Sequence, residues 1–287
     1  MSRTLADLDF GTVLEALLAA PDHHAPQGAF HQTMGVLAHE LAEHYYGAAG
    51  AGVASFGDLG EVRLPYRQMG AISSVNLFGV DELIMFDLYR TRRGVYRRVA
   101  DLGANIGLHS IVLSRCGYEV RSYEPDPQHA AVLRANLAMN ACTADVVEAA
   151  VSTRSDPVEF VRILGNTTGS HITGSKPNPY GDLERFMVPA IDARDVFAWA
   201  DFVKMDVEGH EATIVQHTTR TDWAGTDAVM EVGTRENAEA IYRHLSSLGV
   251  SMYPQRLGWL RAESASDLPA GWRDGSLFVS AERLPWA

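Results

Sequence analysis

Apolar positions recur with helical spacing near the start of the chain and with strand spacing later on. Over residues 4–19, Leu5, Leu8, Val13, Leu14, Leu17 and Leu18 recur at helical intervals and stop before Pro21. A linker, Asp22 to Gly28, carries His23 and His24 with no partner that the sequence fixes. A second helical pattern over 29–47 sets Met34, Leu37, Leu41 and Tyr45 on one side and ends at Gly47. The stretch V-A-S-F-G-D-L-G-E-V-R-L-P-Y then reads as a β-hairpin turning around Asp58–Gly60. Residues 1–75 are therefore expected to form a helical and hairpin cap. Its amphipathic helices require a partner surface, either the mouth of a site or a second copy of the chain.

From about Leu77 strands alternate with helices, and residues 76–287 form the predicted core. The candidate strands are Val99–Leu102, Glu119–Tyr123, Asp145–Val147, Phe202–Met205, Ala228–Val232, Val250–Tyr253 and Leu277–Ser280. Helical stretches include Gln128–Asn140, Ala212–Gln216 and Arg235–Leu248. Such alternation predicts an α/β fold, a mostly parallel sheet covered by helices on both faces. Residues 157–190 interrupt it. V-E-F-V-R-I and M-V-P-A-I read there as two antiparallel strands flanking the polar loop G-N-T-T-G-S-H-I-T-G-S-K-P-N-P. Loops of that length inside a compact domain are usually functional or mobile. Asn166, Ser170 and His171 are its candidate substrate contacts, weighed evenly against an ordered surface loop.

Composition narrows the partners. The formal net charge of −12 opposes binding to DNA or RNA, and the only basic runs, around Arg90–Arg93 and Arg97–Arg98, are short. No uncharged apolar stretch approaches the roughly 18 residues of a membrane span. Cys116 and Cys142 lack motif spacing and read as reduced thiols, and the N-terminus lacks the pattern of a signal peptide. The expectation is a cytoplasmic protein that binds neither nucleic acid nor membrane.

The candidate chemistry begins at V-A-D-L-G-A-N-I-G-L-H-S, where a strand hands over to a helix. Ligands of open α/β sheets bind beyond the carboxyl ends of strands, which is where Gly103, Asn105 and Gly107 fall. Gly103 permits a strained turn and Gly107 a close approach of helix to sheet. The spacing G-x-N-x-G differs from the G-x-G-x-x-G of dinucleotide binders. Glu124, roughly twenty residues on, ends the next strand, where a carboxylate can accept hydrogen bonds from both ribose hydroxyls. Asp101 adds a second acid, which favours a positively charged ligand over a pyrophosphate. Taken together, these residues point to S-adenosylmethionine.

The runs V-A-D-L-G-A-N-I-G-L-H-S-I-V-L-S, Y-E-P-D-P, A-A-V-S and F-V-K-M-D-V-E-G-H-E resemble the FkbM family of S-adenosylmethionine-dependent methyltransferases, over roughly Asp81 to Gly249. The resemblance implies a seven-stranded class I methyltransferase core acting on a hydroxyl of a sugar or secondary metabolite. It implies that Asp101, Gly103, Asn105 and Gly107 hold the methionine end of the cofactor, that Glu124 holds the ribose, and that Glu148, Ala149 and Ala150 lie along the adenine.

Methyl transfer to a hydroxyl requires alignment, exclusion of water and an acceptor for the released proton. Asp206 ends the fourth core strand, in the position that meets the transferred methyl, and Glu208 or His210 could serve as base. Glu211 opens the following helix and can serve its dipole. Glu231 ends the fifth strand on the same rim. Asp206 and Glu231 together permit a divalent metal, although paired rim acids more often bind substrate directly and a metal is not expected.

The leading expectation is thus an O-methyltransferase for a small hydroxylated metabolite. The alternatives are an N-methyltransferase for a small amine, an NAD-dependent oxidoreductase and a cofactor-binding scaffold without catalysis. DNA amino-methylation is disfavoured, because D-V-E-G stands where those enzymes carry an Asn/Asp-Pro-Pro-aromatic tetrad that stacks on a flipped base. H-E-L-A-E-H, His39 to His44, is a decoy for a zinc helix: its histidines are five apart, about 140° around the helix.

Overall fold

The computed structural model describes residues 8–176 and 181–286. The first residues of the predicted opening helix, including Leu5, and Pro177 to Pro179 of the polar loop lie outside them. Seven strands form the central sheet: β1 (Arg98–Leu102), β2 (Glu119–Tyr123), β3 (Asp145–Val147), β4 (Phe202–Met205), β5 (Asp227–Met230), β6 (Ser251–Pro254) and β7 (Leu277–Ser280). Their spatial order is β3-β2-β1-β4-β5-β7-β6. All neighbouring pairs are parallel except those made by β7, which runs antiparallel to both β5 and β6. This is the class I methyltransferase sheet.

Strand pleating sends alternate residues to opposite faces. Val99, Val120, Phe202, Val229 and Phe278 join one core with helices α1 (Phe10–Leu18), α2 (Ala29–Tyr46), α3 (Val80–Thr91), α4 (Leu108–Arg115) and α5 (Pro127–Met139). Ala100, Leu102, Val203, Met205, Ala228 and Met230 join the other with α6 (Ala193–Trp199), α7 (Glu211–His217) and α8 (Arg235–Ser247). Local chemistry starts several of these helices. Asp126 caps α5 by accepting the Gln128 N–H at 2.8 Å, with Pro127 at the first position, and Thr234 caps α8 by accepting the Asn237 N–H at 3.1 Å.

The N-terminal segment starts its first helix at Phe10, with Leu8 and Asp9 outside it, and its hairpin pairs Val53–Ser55 with Glu61–Arg63 around a turn at Gly57–Leu59. Its helices pack on α3 and share the first core. His39 and His44 are exposed on α2. His24 departs from expectation, because it is fully buried between the ends of the chain. Its Nε2 lies 3.0 Å from the Leu17 carbonyl and its Nδ1 accepts the Trp259 indole N–H at 3.1 Å.

The interruption also differs in detail. Val158–Ile163 does pair antiparallel with Leu183–Val188, but M-V-P-A-I is not one strand. Pro189 divides it, and Ala190–Asp192 pairs in parallel with Ala150–Ser152 instead. No helix among the described residues is long and apolar enough to cross a membrane.

Candidate active site

Strand register builds the site. Leu102 is opposite both Tyr123 and Met205, and Met205 is opposite Met230. The residues that follow, Gly103, Glu124, Asp206 and Glu231, therefore emerge in one row along the carboxyl rim.

The turn after β1 holds three residues with left-handed backbones, Gly103 (φ 74), Asn105 (φ 51) and Gly107 (φ 92). At Gly103 an added Cβ would lie 1.8 Å from the Asp206 carbonyl oxygen. Gly107 makes room for α5, not for the sheet, since its Cβ would meet Leu133 Cγ at 3.0 Å. The same turn locks Glu124. The Asn105 N–H donates to its Oε2 at 2.7 Å and the Asp126 N–H to its Oε1 at 2.8 Å. Burial pushes this carboxyl up to about 8 despite those two donors. Asn105 Oδ1 is buried with no hydrogen-bond partner.

Two chambers open on the rim. The first encloses about 870 Å³, part of it open to solvent, within the size range of ligand sites. Gly103, Asn105, Glu124 and Ala149 line it, as do Ser170 and His171 of the insertion. Asp206 and Glu208 close its far end, and Tyr123, Val151 and Phe160 supply apolar wall. Glu208 has a left-handed backbone (φ 56) and pairs with Lys176. Burial and the nearby Asp206 raise its carboxyl to about 7.

Five of the residues expected here, and Glu231, stand off this wall. Asp101 is wholly buried behind it, accepting the Ser110 hydroxyl at 2.6 Å. Gly107 faces Leu133, as described. Glu148 is exposed and pairs with Arg134. Asn166 accepts the Thr168 hydroxyl at 2.7 Å while its neighbours Thr167 and Thr168 face the chamber. His210 is buried, with Nε2 3.0 Å from the Ser152 hydroxyl and Nδ1 3.0 Å from that of Ser175. Burial lowers its imidazole to about 4, so with both nitrogens engaged it is a strut of the turn and not a base. Glu211 also holds this turn, accepting the Val207 N–H at 2.9 Å and the Gly209 N–H at 3.3 Å.

The second chamber, also about 870 Å³ with an open mouth, is lined by Glu231 and shares Asp206 with the first. Four further lining groups were not singled out in the sequence: Glu82, His109, Lys204 and Trp272. Lys204 is a lone cation in the apolar strand F-V-K-M, a signal visible in the sequence. Its Nζ lies 3.6 Å from Asp101 Oδ1 and 3.7 Å from Asp206 Oδ2. Burial works against its charge, but Asp101 and Asp206 outweigh it and hold the ammonium above its ordinary range. His109 bridges Glu82 (2.7 Å) and the Tyr89 hydroxyl (2.9 Å). Burial would raise Glu82, yet His109 brings it below the usual range. Glu231 opens to the cleft, where protein crowding first and Asp206 second hold its carboxyl above the usual range. Among the described residues, no group of three or more His, Cys, Asp or Glu is arranged to hold a metal ion.

The methyltransferase FkbM domain model matches residues 101–249, more than half of the 287-residue chain. The chain belongs to the FkbM methyltransferase family. It is a methyltransferase, and the matched segment runs from Asp101 through Glu124, Asp206 and Glu231. No curated protein matches the chain. Among solved structures it is similar to the ribosomal protein L11 methylase of Lactobacillus delbrueckii subsp. bulgaricus, at 11% identity and TM-score 0.38, covering 71% of this chain and 82% of that one. A SAM-dependent methyltransferase from Agrobacterium tumefaciens aligns at 10% identity and TM-score 0.41, over 82% and 69%. Cofactor-bound Rv0187 from MTB aligns at 14% identity and TM-score 0.38, over 99% and 100%. Likeness at these values carries no argument about substrate.

Proposed function

We propose that the protein transfers a methyl group from S-adenosylmethionine in the first chamber to a hydroxyl of a small metabolite, a sugar or glycosylated compound, in the second. The observation that carries this reading is that Asp206 belongs to both walls. The residues present fit the cofactor. Glu124 keeps a lone pair on each oxygen for ribose hydroxyls, Asn105 Oδ1 is a buried acceptor in want of a donor, and Ala149 and Val151 offer a narrow apolar slot for a purine. When bound, the cofactor supplies a methyl on a sulfonium, open to in-line displacement.

The chain's own residues do the rest. Asp206 accepts the hydrogen bond, and then the proton, of the acceptor hydroxyl at the junction. Lys204 fixes that carboxylate from beneath. The insertion, tied down by Arg162 to Asp126 at 2.6 Å and by His129 to Thr167 at 3.0 Å, excludes water over the first chamber. The −12 charge supports a small molecule rather than a nucleic acid as partner, and two free cysteines suit the cytoplasm.

Calorimetry with S-adenosylhomocysteine tests the donor site. Glu124→Ala is expected to weaken binding more than tenfold, because a hydrogen bond to a charged group contributes about 1.5–3 kcal/mol. Unchanged affinity removes Glu124 from the site. Affinity of the unaltered protein is expected to rise with pH. Ribose hydroxyls donate to the ionised carboxylate, whose value near 8 in the free protein leaves it largely protonated at neutrality. Binding below that pH then releases a proton, visible as a buffer-dependent heat, and the release is absent in Glu124→Ala.

A further inference from the structure

We propose that the second chamber selects an acceptor bearing an amine beside its hydroxyl, an amino sugar or similar vicinal amino alcohol, with the ammonium held by Glu231 and the hydroxyl by Asp206. The proposal rests on the reading that places the methyl donor in the first chamber, and it adds the class of the acceptor.

The wall decides the sign of charge. Asp81, Glu82, Asp206 and Glu231 line the chamber together with Lys204 and His109. Most of these groups are engaged. Asp81 takes His31 at 2.8 Å, Glu82 takes His109 at 2.7 Å, and Asp206 has Lys204 at 3.7 Å. Glu231 differs, since among the described residues its carboxyl has no hydrogen-bond or ion-pair partner. Burial, and then crowding by other acids, keeps the Glu231 carboxyl protonated in the free protein. A ligand that brings a cation draws that proton off and gains an ion pair, whereas a phosphate or carboxylate gains none there and meets Asp206 beside it.

Spacing decides the arrangement. Met205 and Met230 are directly paired and the Glu231 N–H donates to the Met205 carbonyl at 3.1 Å, so Asp206 and Glu231 leave adjacent strand ends side by side. Neighbouring strands lie about 4.8 Å apart. Two carboxylates so placed span the neighbouring amine and hydroxyl of one ring edge, each accepting from one group. Trp272 supplies the ring platform: its side chain is 70% exposed on the same wall. Arg273 lies over the indole at 4.5 Å, leaving one face of it for the flat side of a sugar.

The test is calorimetry of glucosamine, glucose and glucose 6-phosphate against the protein saturated with S-adenosylhomocysteine. Glucosamine is expected to bind at least tenfold more tightly than glucose, and glucose 6-phosphate more weakly than either. Glu231→Gln is expected to bring glucosamine down to the level of glucose while leaving the S-adenosylhomocysteine affinity unchanged. Equal binding of glucosamine and glucose, a preference for the phosphate, no binding of any probe, or a preference that survives Glu231→Gln overturns the proposal. Failure of the donor reading is seen separately. In that case S-adenosylhomocysteine gives no heat at all, and the sugar comparison on the free protein still decides the amine preference.

Discussion

Alanine in place of Gly103 is expected to cost about 2–5 kcal/mol of folding stability, the sum of a forbidden contact and a left-handed backbone. The contact is severe because it is backbone against backbone. A Cβ would lie 1.8 Å from the Asp206 carbonyl oxygen, which a side-chain rotation cannot move. Relief requires the turns after β1 and β4 to part, and those turns carry Gly103 and Asp206, two walls of the first chamber. The melting temperature should therefore fall by roughly 5–15 °C and donor binding should fall with it. Gly117→Ala is the control. Gly117 has φ 90 but nothing within 4 Å of its Cβ position, so that variant bears the backbone strain alone. Equal losses in the two variants would show that the close approach of the two turns contributes nothing.

The same pair of turns shows how far the sequence reaches. Glu119–Tyr123, Asp145–Val147, Phe202–Met205 and Leu277–Ser280 coincide residue for residue with strands read from apolar runs and their flanking turns. Phe202–Met205 and Leu277–Ser280 are buried on both faces, so their runs are short and unbroken with sharp ends, whether the strand is parallel or antiparallel. Because neighbouring strands are in register, the residue that follows each run lands on the rim, which is why Gly103, Glu124 and Asp206 could be placed from the chain alone. Glu231 falls inside the predicted strand Ala228–Val232, whereas the observed strand stops one residue before it, at Met230.

Side-chain direction could not be placed in that way. Asp101 and Glu124 both looked like ligand acids, but Asp101 sits on β1 and points into the protein toward Ser110. His210 looked like a base on a promising turn, and its sequestration depends on Ser152 and Ser175, 58 and 35 residues away. The second chamber was less legible still. Glu82 comes from α3, His109 from α4 and Trp272 from a loop, and only the tertiary fold brings them to one wall. Pro189 was the exception that local chemistry could have resolved. A proline in the middle of M-V-P-A-I cannot donate to a ladder, and its place should have split the strand.

Lys204→Met is expected to lose about 3–5 kcal/mol at neutral pH, because it removes the one cation among the described residues that pairs with Asp101. Asp101 is fully buried and its Oδ1 has no hydrogen bond, only the ammonium 3.6 Å away. Methionine keeps most of the volume of the aliphatic stem, so lost packing is the smaller part. The sign of the pH dependence separates charge from packing. In the unaltered protein the Lys204 ammonium is held above its ordinary range, so its stabilisation is complete below the ordinary lysine value, about 10.4, and fades as pH rises through the higher folded value. In Lys204→Met the buried Asp101 carboxylate is left without its cation. The stability deficit should then shrink in acid, where protonating that carboxylate removes the uncompensated buried charge. Asp101→Asn added to Lys204→Met should restore much of the loss at pH 7, since the buried charge is gone while the Ser110 hydroxyl at 2.6 Å keeps an acceptor. Urea unfolding between pH 4 and 8 measures all three. A deficit independent of pH and unrelieved by Asp101→Asn would mean that Lys204 stabilises the strand by packing, and that the Asp101–Lys204–Asp206 array beneath the rim is not an electrostatic unit.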